Sequence, residues 1–341
     1  MQIQEHIPLS GYTTLKVGGP AQYLTEVQSV AELREAVRWA HEHTLPLHIL
    51  GGGSNVLVPD EGVQGLVIRN LITGIEVREV GDMVHLRAGA GEVFDDVVAR
   101  ACAEGWWGLE NLSCIPGSVG ATPIQNVGAY GVETAELVHT IDVYDTVTDT
   151  ETTLTPEVCA FGYRDSRFKH DEGKRYVVTH VTYALSKVPA PRLHYRDLAE
   201  WQQKRDTEAA SALAEIRAAV CAIRSRKFPD WHVVGTAGSF FKNPVISAAE
   251  YARLVALYPG LPGHEAGEGM VKVSLGWVLD HVLAVRGVRD GAVGTYEGQA
   301  LVLVHHGGGS AAEIGAFADG IARRVEDALG ITLEREVTRL A

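Results

Sequence analysis

Residues 110–133 read ENLSCIPGSVGATPIQNVGAYGVE. Glycines at 117, 120, 128 and 131 and prolines at 116 and 123 break any helical period, and Glu110 and Glu133 are its only charges. A connection this long and this poor in charge is uncommon in a compact domain, and such loops are usually functional. Closely spaced backbone N–H groups, with Gln125, Asn126 and Tyr130 among them, suit a flat polar ring and a pyrophosphate. The plain alternative is a structural plug between domains.

A second glycine loop lies upstream, ILGGGSNVLV at 49–58. Gly51, Gly52 and Gly53 let backbone approach a phosphate, and Ser54 and Asn55 add a hydroxyl and an amide; a tight turn between strands would look the same. It is not the dinucleotide fingerprint G-x-G-x-x-G, because position 56 is Val and NVLV reads as strand where a helix should begin. No G-x-x-x-x-G-K-[ST] loop occurs either.

Working outward, 341 residues allow two or three domains, and 46% hydrophobic with 21% charged residues is ordinary for a soluble globular chain. Thirty Lys and Arg against 43 Asp and Glu leave a net charge of −13. That argues against wholesale binding to nucleic acid or an anionic membrane, so an anionic substrate needs a local cluster of cations. Cys102, Cys114, Cys159 and Cys221 form no C-x-x-C pair, and they are expected as reduced thiols. The first residues show no basic segment followed by an apolar run, and the protein reads as cytoplasmic. His41/His43 and His305/His306 point apart at their spacings, and no metal is expected.

Capping-box pairs, Ser followed three residues later by Glu, stand at Ser29/Glu32, Ser247/Glu250 and Ser310/Glu313. The last opens a helix with Ile314, Phe317, Ile321, Val325 and Leu329 on one face and Gly330 as its stop. Phe94, Val97, Val98 and Cys102 mark a second amphipathic helix, and Leu213, Ile216, Val220 and Ile223 a third. Strands are expected at 22–27, 47–50, 65–70, 83–89, 141–146, 176–185, 300–306 and 331–337. The pattern is that of an α+β protein.

Five blocks taken together, ILGGGSNVLV, IPGSVGATPIQNVGAYG, FGYRDSRFK (161–169), GSFFKNP (238–244) and LEREV (333–337), resemble the UDP-N-acetylenolpyruvoylglucosamine reductase family of flavoproteins. They occur in the family's order, and the resemblance extends over residues 11 to 339. The resemblance implies an FAD-binding α+β domain of the vanillyl-alcohol-oxidase (PCMH) type followed by a smaller α+β substrate-binding domain. The FAD region is expected over 1–190, in two subdomains with a boundary near 70. A substrate-closing loop and junction is expected over 191–210, and the substrate domain over 211–341, its final strand returning to the active site. HYRDLAEW (194–201) is similar to the extra loop of the longer, type I members, in which a tyrosine, here Tyr195, closes over the nucleotide sugar.

The implied reaction reduces UDP-N-acetylglucosamine enolpyruvate to UDP-N-acetylmuramate for peptidoglycan, with noncovalent FAD as cofactor and NADPH as cosubstrate in a monomer. By resemblance Ser239 is the proton donor. A serine is always protonated near neutrality and yields its proton only to a strongly basic centre such as a carbanion-like enolate; Phe240 and Phe241 would exclude water there. Arg164 would hold the substrate carboxylate with its planar fork, the plainer reading being a pair with Asp165. Glu336 would help polarise that carboxylate, whereas Glu334 reads as an exposed acid.

The same matching assigns Gly51, Gly52, Gly53, Ser54, Asn55, Val56, Pro116, Gly117, Gly120, Ala121, Gln125, Asn126, Gly128, Ala129, Tyr130 and Tyr163 to FAD. It assigns Tyr195, Lys227, Lys242, Asn243 and Gln299 to the sugar nucleotide, with Arg224 a further cation. Two rivals remain, a sugar or alcohol oxidase on the same flavin fold and a colourless nucleotide-sugar-binding protein.

Overall fold

A computed structural model describes residues 1–204 and 212–340. Residues 205–210 of the expected junction therefore lie outside the described residues. The chain forms two compact units. The first comprises Met1–Ile7, Ala21–Gly52 and Gln64–Arg224; the second comprises Pro8–Pro20, Gly53–Val63 and Ser225–Ala341.

The first unit holds two sheets. In the smaller, strand Gln4–Pro8 lies beside Pro20–Val27, then Val63–Asn70, then Leu47–Leu50. Leu47–Leu50 runs parallel to Val63–Asn70, pairing Leu47 with Leu66 and Leu50 with Arg69. Helix Val30–Glu42 covers this sheet with Leu33, Ala36, Val37 and Ala40, which join Leu66, Ile68, Tyr144 and Val177 in one buried cluster. Ser29 caps that helix by accepting the Glu32 N–H at 3.2 Å.

Between Asn70 and Ile75 the chain passes to a five-stranded antiparallel sheet. Its order is Thr150–Leu154, Val138–Asp145, Tyr176–Ser186, Met83–Gly89 and Ile75–Val80. Period-two alternation puts Val84, Leu86 and Ala88 of one strand and Val181, Tyr183 and Leu185 of its partner on a single buried face. Helices Phe94–Ala103 and Leu213–Lys227 bring Phe94, Val97, Val98, Ile216, Val220 and Ile223 to the same core. Each such side chain contributes roughly 1.5–3 kcal/mol on burial.

The second unit is built around helix Ala311–Leu329, whose Ile314, Ala318, Ile321, Val325 and Leu329 are buried. The capping box at Ser310 and Glu313 forms reciprocally, and Gly330 ends the helix at φ 75°. The Asp60 carboxylate adds two acceptors, for the N–H groups of Ala311 (2.8 Å) and Ala312 (2.9 Å), which pins segment 53–63 to the helix start. Against this helix lie strands Val293–Tyr296 and Gln299–His305. The Gly309 N–H donates to His305 Nε2 at 3.0 Å, and His305 Nδ1 lies 3.1 Å from Leu15 O.

Two sequence expectations need correction. Residues 331–337 do not form a regular strand; pairing is confined to Thr338–Arg339, parallel to Val56–Leu57, with an isolated bridge between Arg335 and Phe241. The backbone groups of 334–336 bond one by one to residues 240–242 instead. The cysteines are not all free thiols, since Cys114 and Cys221 form a disulfide with Cα atoms 5.6 Å apart. Sequence separation of 107 residues hides that pair from any spacing pattern. Cys102 and Cys159 stay reduced and buried, and burial pushes the Cys102 thiol up to about 12. Among the described residues no helix is long and apolar enough to cross a membrane.

Candidate active site

In the first unit the two glycine loops meet. A Cβ on Gly51 would sit 2.3 Å from Ser118 Oγ, and one on Gly52 would sit 2.9 Å from Gly117 Cα. Gly120 is equally constrained, since its Cβ would fall 2.7 Å from that of Ala90. Only residues without side chains fit there, which leaves a partly exposed backbone surface around Gly51, Gly52, Pro116 and Gly117. Ala121 opens the short helix Ala121–Ile124, and Gln125 closes it.

The following loop is braced from within. Asn126 is buried in the left-handed region at φ 43°. Its Nδ2 donates to Glu133 Oε2 (2.7 Å) and Gly162 O (2.9 Å), and its Oδ1 accepts the Ala135 N–H (2.9 Å). Residues 161–169 clamp onto that loop: Arg164 Nη2 donates to Gly128 O at 2.6 Å, and Ser166 Oγ to Ile124 O at 2.6 Å. Arg164 itself takes φ 53°, its carbonyl accepts from Lys169 Nζ, and its guanidinium lies 5.4 Å from the Tyr163 ring centroid. Asp165 bonds His170 at 2.9 Å. Gln125, Asn126, Gly128, Ala129, Tyr163 and Arg164 are thus gathered in one place.

Tyr130 follows, also left-handed (φ 50°) and 7% exposed. Burial pushes its hydroxyl up to about 12. Its ring meets that of Tyr195 edge-on, with centroids 5.4 Å apart. Arg224 proves to be an internal brace of this unit: its Nε donates to Cys114 O at 3.0 Å, and its guanidinium bonds the Tyr130 hydroxyl. Cys114 is held on all sides. Its N–H donates to Asp95 Oδ1 at 2.5 Å, Asp95 takes a two-pronged bond from Arg217, and its sulfur joins Cys221. Of these braces, Asp95, Arg217 and the disulfide escaped the sequence reading.

In the second unit residues 239–242 lie between two backbone partners. Ser239 bridges Val302, and Phe240 N–H donates to Leu301 O at 2.9 Å. On the other side Glu336 N–H donates to Phe240 O at 2.8 Å and Lys242 N–H to Glu334 O at 2.9 Å. Phe240 and Phe241 are buried and stake the segment into the core. Ser239 is half-buried, and its hydroxyl makes no hydrogen bond among the described residues. Asn55 Nδ2 donates to Glu336 O at 3.1 Å, and Thr338 N–H to Asn55 O at 3.0 Å, so Ser54, Asn55 and Val56 are stitched to the chain's last turn. Gly53 (φ 64°) is obligatory there, because its Cβ would strike Tyr12 O at 2.0 Å.

The remaining second-unit residues divide by role. Lys242 Nζ lies 2.5 Å from Glu334 Oε1, the acid read from sequence as exposed, and that carboxylate is indeed mostly exposed. Asn243 Oδ1 accepts the Leu275 N–H at 3.0 Å, which starts helix Leu275–His281. Gln299 Oε1 is buried with no partner among the described residues. Lys227 ends helix Leu213–Lys227, half-buried.

The α+β fold and the glycine-built cradle of the first unit place the chain in a flavin-binding class of protein. Residues 21–155 match the model of an FAD binding domain, and residues 230–340 match the C-terminal domain of UDP-N-acetylenolpyruvoylglucosamine reductase. The chain is 43% identical to the UDP-N-acetylenolpyruvoylglucosamine reductase of Ralstonia nicotianae, over 98% of both chains. It is 39% identical to that of Pseudomonas aeruginosa, again over 98% of both. The crystal structure of the reductase from Thermus caldophilus superposes with a TM-score of 0.71 at 27% identity, covering 100% of each chain. The chain belongs to the UDP-N-acetylenolpyruvoylglucosamine reductase family.

Proposed function

We infer that this chain, acting as a monomer with noncovalent FAD, uses NADPH to reduce UDP-N-acetylglucosamine enolpyruvate to UDP-N-acetylmuramate for peptidoglycan precursor synthesis. The observation that supports it most directly is Ser239. It pairs with Val302, its neighbour Phe240 is bonded to Leu301 on one side and Glu336 on the other, and the Ser239 hydroxyl makes no hydrogen bond among the described residues. That half-buried hydroxyl is therefore open to a ligand as well as to water.

The cradle at Gly51, Gly52, Gly117 and Gly120 fits FAD, since it offers backbone N–H groups and no side chain to block a pyrophosphate. Bound FAD, once reduced by NADPH, would supply the hydride that reaches the terminal vinyl carbon. Ser239 then gives its proton to the neighbouring carbon, which is basic enough to take it once negative charge develops there. Arg164 holds the substrate carboxylate, and its own anchorage to Gly128 O sets the direction of its fork. Glu336, in its protonated form, donates a hydrogen bond to the same carboxylate while its backbone stays fixed to Phe240 and Asn55. Tyr195 and Lys227 contact the sugar nucleotide, joined by Asn243 and Gln299. Lys242 contributes less charge there than its formula suggests, because Glu334 already offsets it.

Ser239→Ala separates the two half-reactions. Flavin bleaching by NADPH should proceed unchanged, and reoxidation by the enolpyruvyl sugar nucleotide should slow by about 10²–10⁴-fold. Equal damage to both halves would make Ser239 a structural residue and remove this mechanism.

A further inference from the structure

Asn111 is fully buried at the end of a short connection between helix Phe94–Ala103 and the glycine-rich loop. Its Nδ2 donates to Tyr130 O at 2.8 Å and to Arg192 O at 2.9 Å. Both amide hydrogens are used, while Oδ1 has no partner among the described residues. The orientation of the amide follows from chemistry, because only its NH₂ end can face two carbonyl oxygens.

Three further contacts close the same junction. The Tyr130 and Tyr195 rings meet edge-on at 5.4 Å. Gly131 stands at φ 82°, and a Cβ there would sit 2.9 Å from His194 Nε2. The Arg192 guanidinium pairs with the Glu136 carboxylate. Residues 192–195 are therefore laid along residues 130–136, with Asn111 beneath both backbones.

We propose that Asn111 is a positioning residue for Tyr195. It fixes the Arg192 carbonyl, and three residues on, the Tyr195 ring is set against Tyr130. A loop ordered in advance loses less conformational freedom when it closes on a ligand, so affinity for the sugar nucleotide rises without any contact from Asn111 itself. This inference rests on the reading of Tyr195 as the residue that closes over the sugar nucleotide.

The test uses the FAD-loaded full chain. Asn111→Asp keeps the volume but turns an oxygen toward two carbonyls, and Arg192→Gln loosens the same segment from the surface without touching the core. Amide hydrogen exchange over residues 187–196 should quicken at least about fivefold in Asn111→Asp and less in Arg192→Gln. KM for the enolpyruvyl sugar nucleotide should rise about tenfold in Asn111→Asp, with kcat and the rate of flavin bleaching by NADPH within about twofold of the parent. Unchanged exchange in both variants would overturn the docking. Parallel losses in kcat and flavin bleaching in Asn111→Asp, with KM unmoved in Arg192→Gln, would reduce Asn111 to a core residue. An unaltered chain that bleaches with NADPH but ignores the enolpyruvyl sugar would defeat the functional reading instead, while the exchange comparison would still decide the docking.

Discussion

Replacing Gly52 by alanine tests whether the two glycine loops must touch for FAD to bind. The added Cβ would lie 2.9 Å from Gly117 Cα, 3.2 Å from its carbonyl carbon and 3.4 Å from Ser118 N. Carbon atoms in ordinary contact stand about 3.5–4.0 Å apart, so the loops must part by roughly 0.6–1 Å. All three opposing atoms are backbone, so no side chain can swing away to absorb the shift. Gly52 does not occupy the left-handed region, and alanine adds no dihedral strain of its own. Overpacking of this kind costs about 1–3 kcal/mol. Expressed as affinity, that is roughly a fivefold to 150-fold rise in the Kd for FAD.

The partition of that cost decides the assay. Gly117, Val119 and Gly120 are tied by backbone hydrogen bonds to residues 90–94, so the shift falls on the Gly51–Gly52 side and part of the cost should appear in urea unfolding. If the close spacing forms the FAD cradle, the rest should appear in binding. Titration of the apoprotein followed by flavin fluorescence measures it directly, with Gly11→Ala as the control because nothing lies within 4 Å of that position. Gly11→Ala should match the parent. A Gly52→Ala protein that binds FAD as tightly as the control would refute the argument that this backbone approach forms the cradle.

Three further outcomes are expected. Under denaturing, non-reducing conditions two thiols should titrate, Cys102 and Cys159, and all four after reduction; Cys221→Ser should destabilise the first unit by a few kcal/mol, on the order of the ~4.7 kcal/mol that chain entropy assigns to a loop of about 100 residues. Asp145 is buried, which raises its pKa, but the Arg175 guanidinium and the N–H groups of Val147 and Thr148 outweigh that and bring it from 3.8 to about 2. A depressed carboxylate stabilises the fold above its unfolded pKa and loses that contribution as pH falls through its folded value, so Asp145→Asn should cost on the order of 2 kcal/mol near neutrality, and the gap should close between about pH 4 and pH 2 in urea melts. Gly320→Ala, in mid-helix with nothing within 4 Å, should raise unfolding free energy by about 0.5–1 kcal/mol.

Legibility of the fold followed burial. MVHLRAG alternates between more exposed and buried positions, and it forms the strand Met83–Gly89. Ile75–Val80 and Thr150–Leu154 are the two edges of their sheet, largely exposed, and carry charges or threonines where a core strand would be apolar. Their pairing is dictated by Met83–Gly89 and Val138–Asp145, which local sequence does not report. The error at 331–337 has a related cause. Its alternation is real, but its partners are the irregular backbone at 240–242 rather than a strand. In the site, glycine density marked both halves of the cradle because the close approach itself demands glycine. The disulfide and Asn111 left no such trace, since each depends on residues brought together from opposite ends of long intervals.

The polar side chains that read as ligand contacts therefore fall into two kinds. Asn126 uses its whole amide on Glu133, Gly162 and Ala135, Asn243 uses its oxygen on Leu275, and Lys242 faces Glu334. Each fixes a left-handed residue, a helix start or a chain end, and each does so beside a segment whose backbone is left partly exposed. Ser239 is of the other kind: it pairs with Val302, and its hydroxyl makes no hydrogen bond among the described residues. A substitution at Asn126 should thus weaken FAD binding by letting its loop move, and should be accompanied by faster hydrogen exchange at residues 126–135. A substitution at Ser239 should leave exchange untouched and change only the chemistry. The two classes look alike in sequence, as small polar residues in glycine-rich surroundings, and only the destination of their hydrogen bonds separates them.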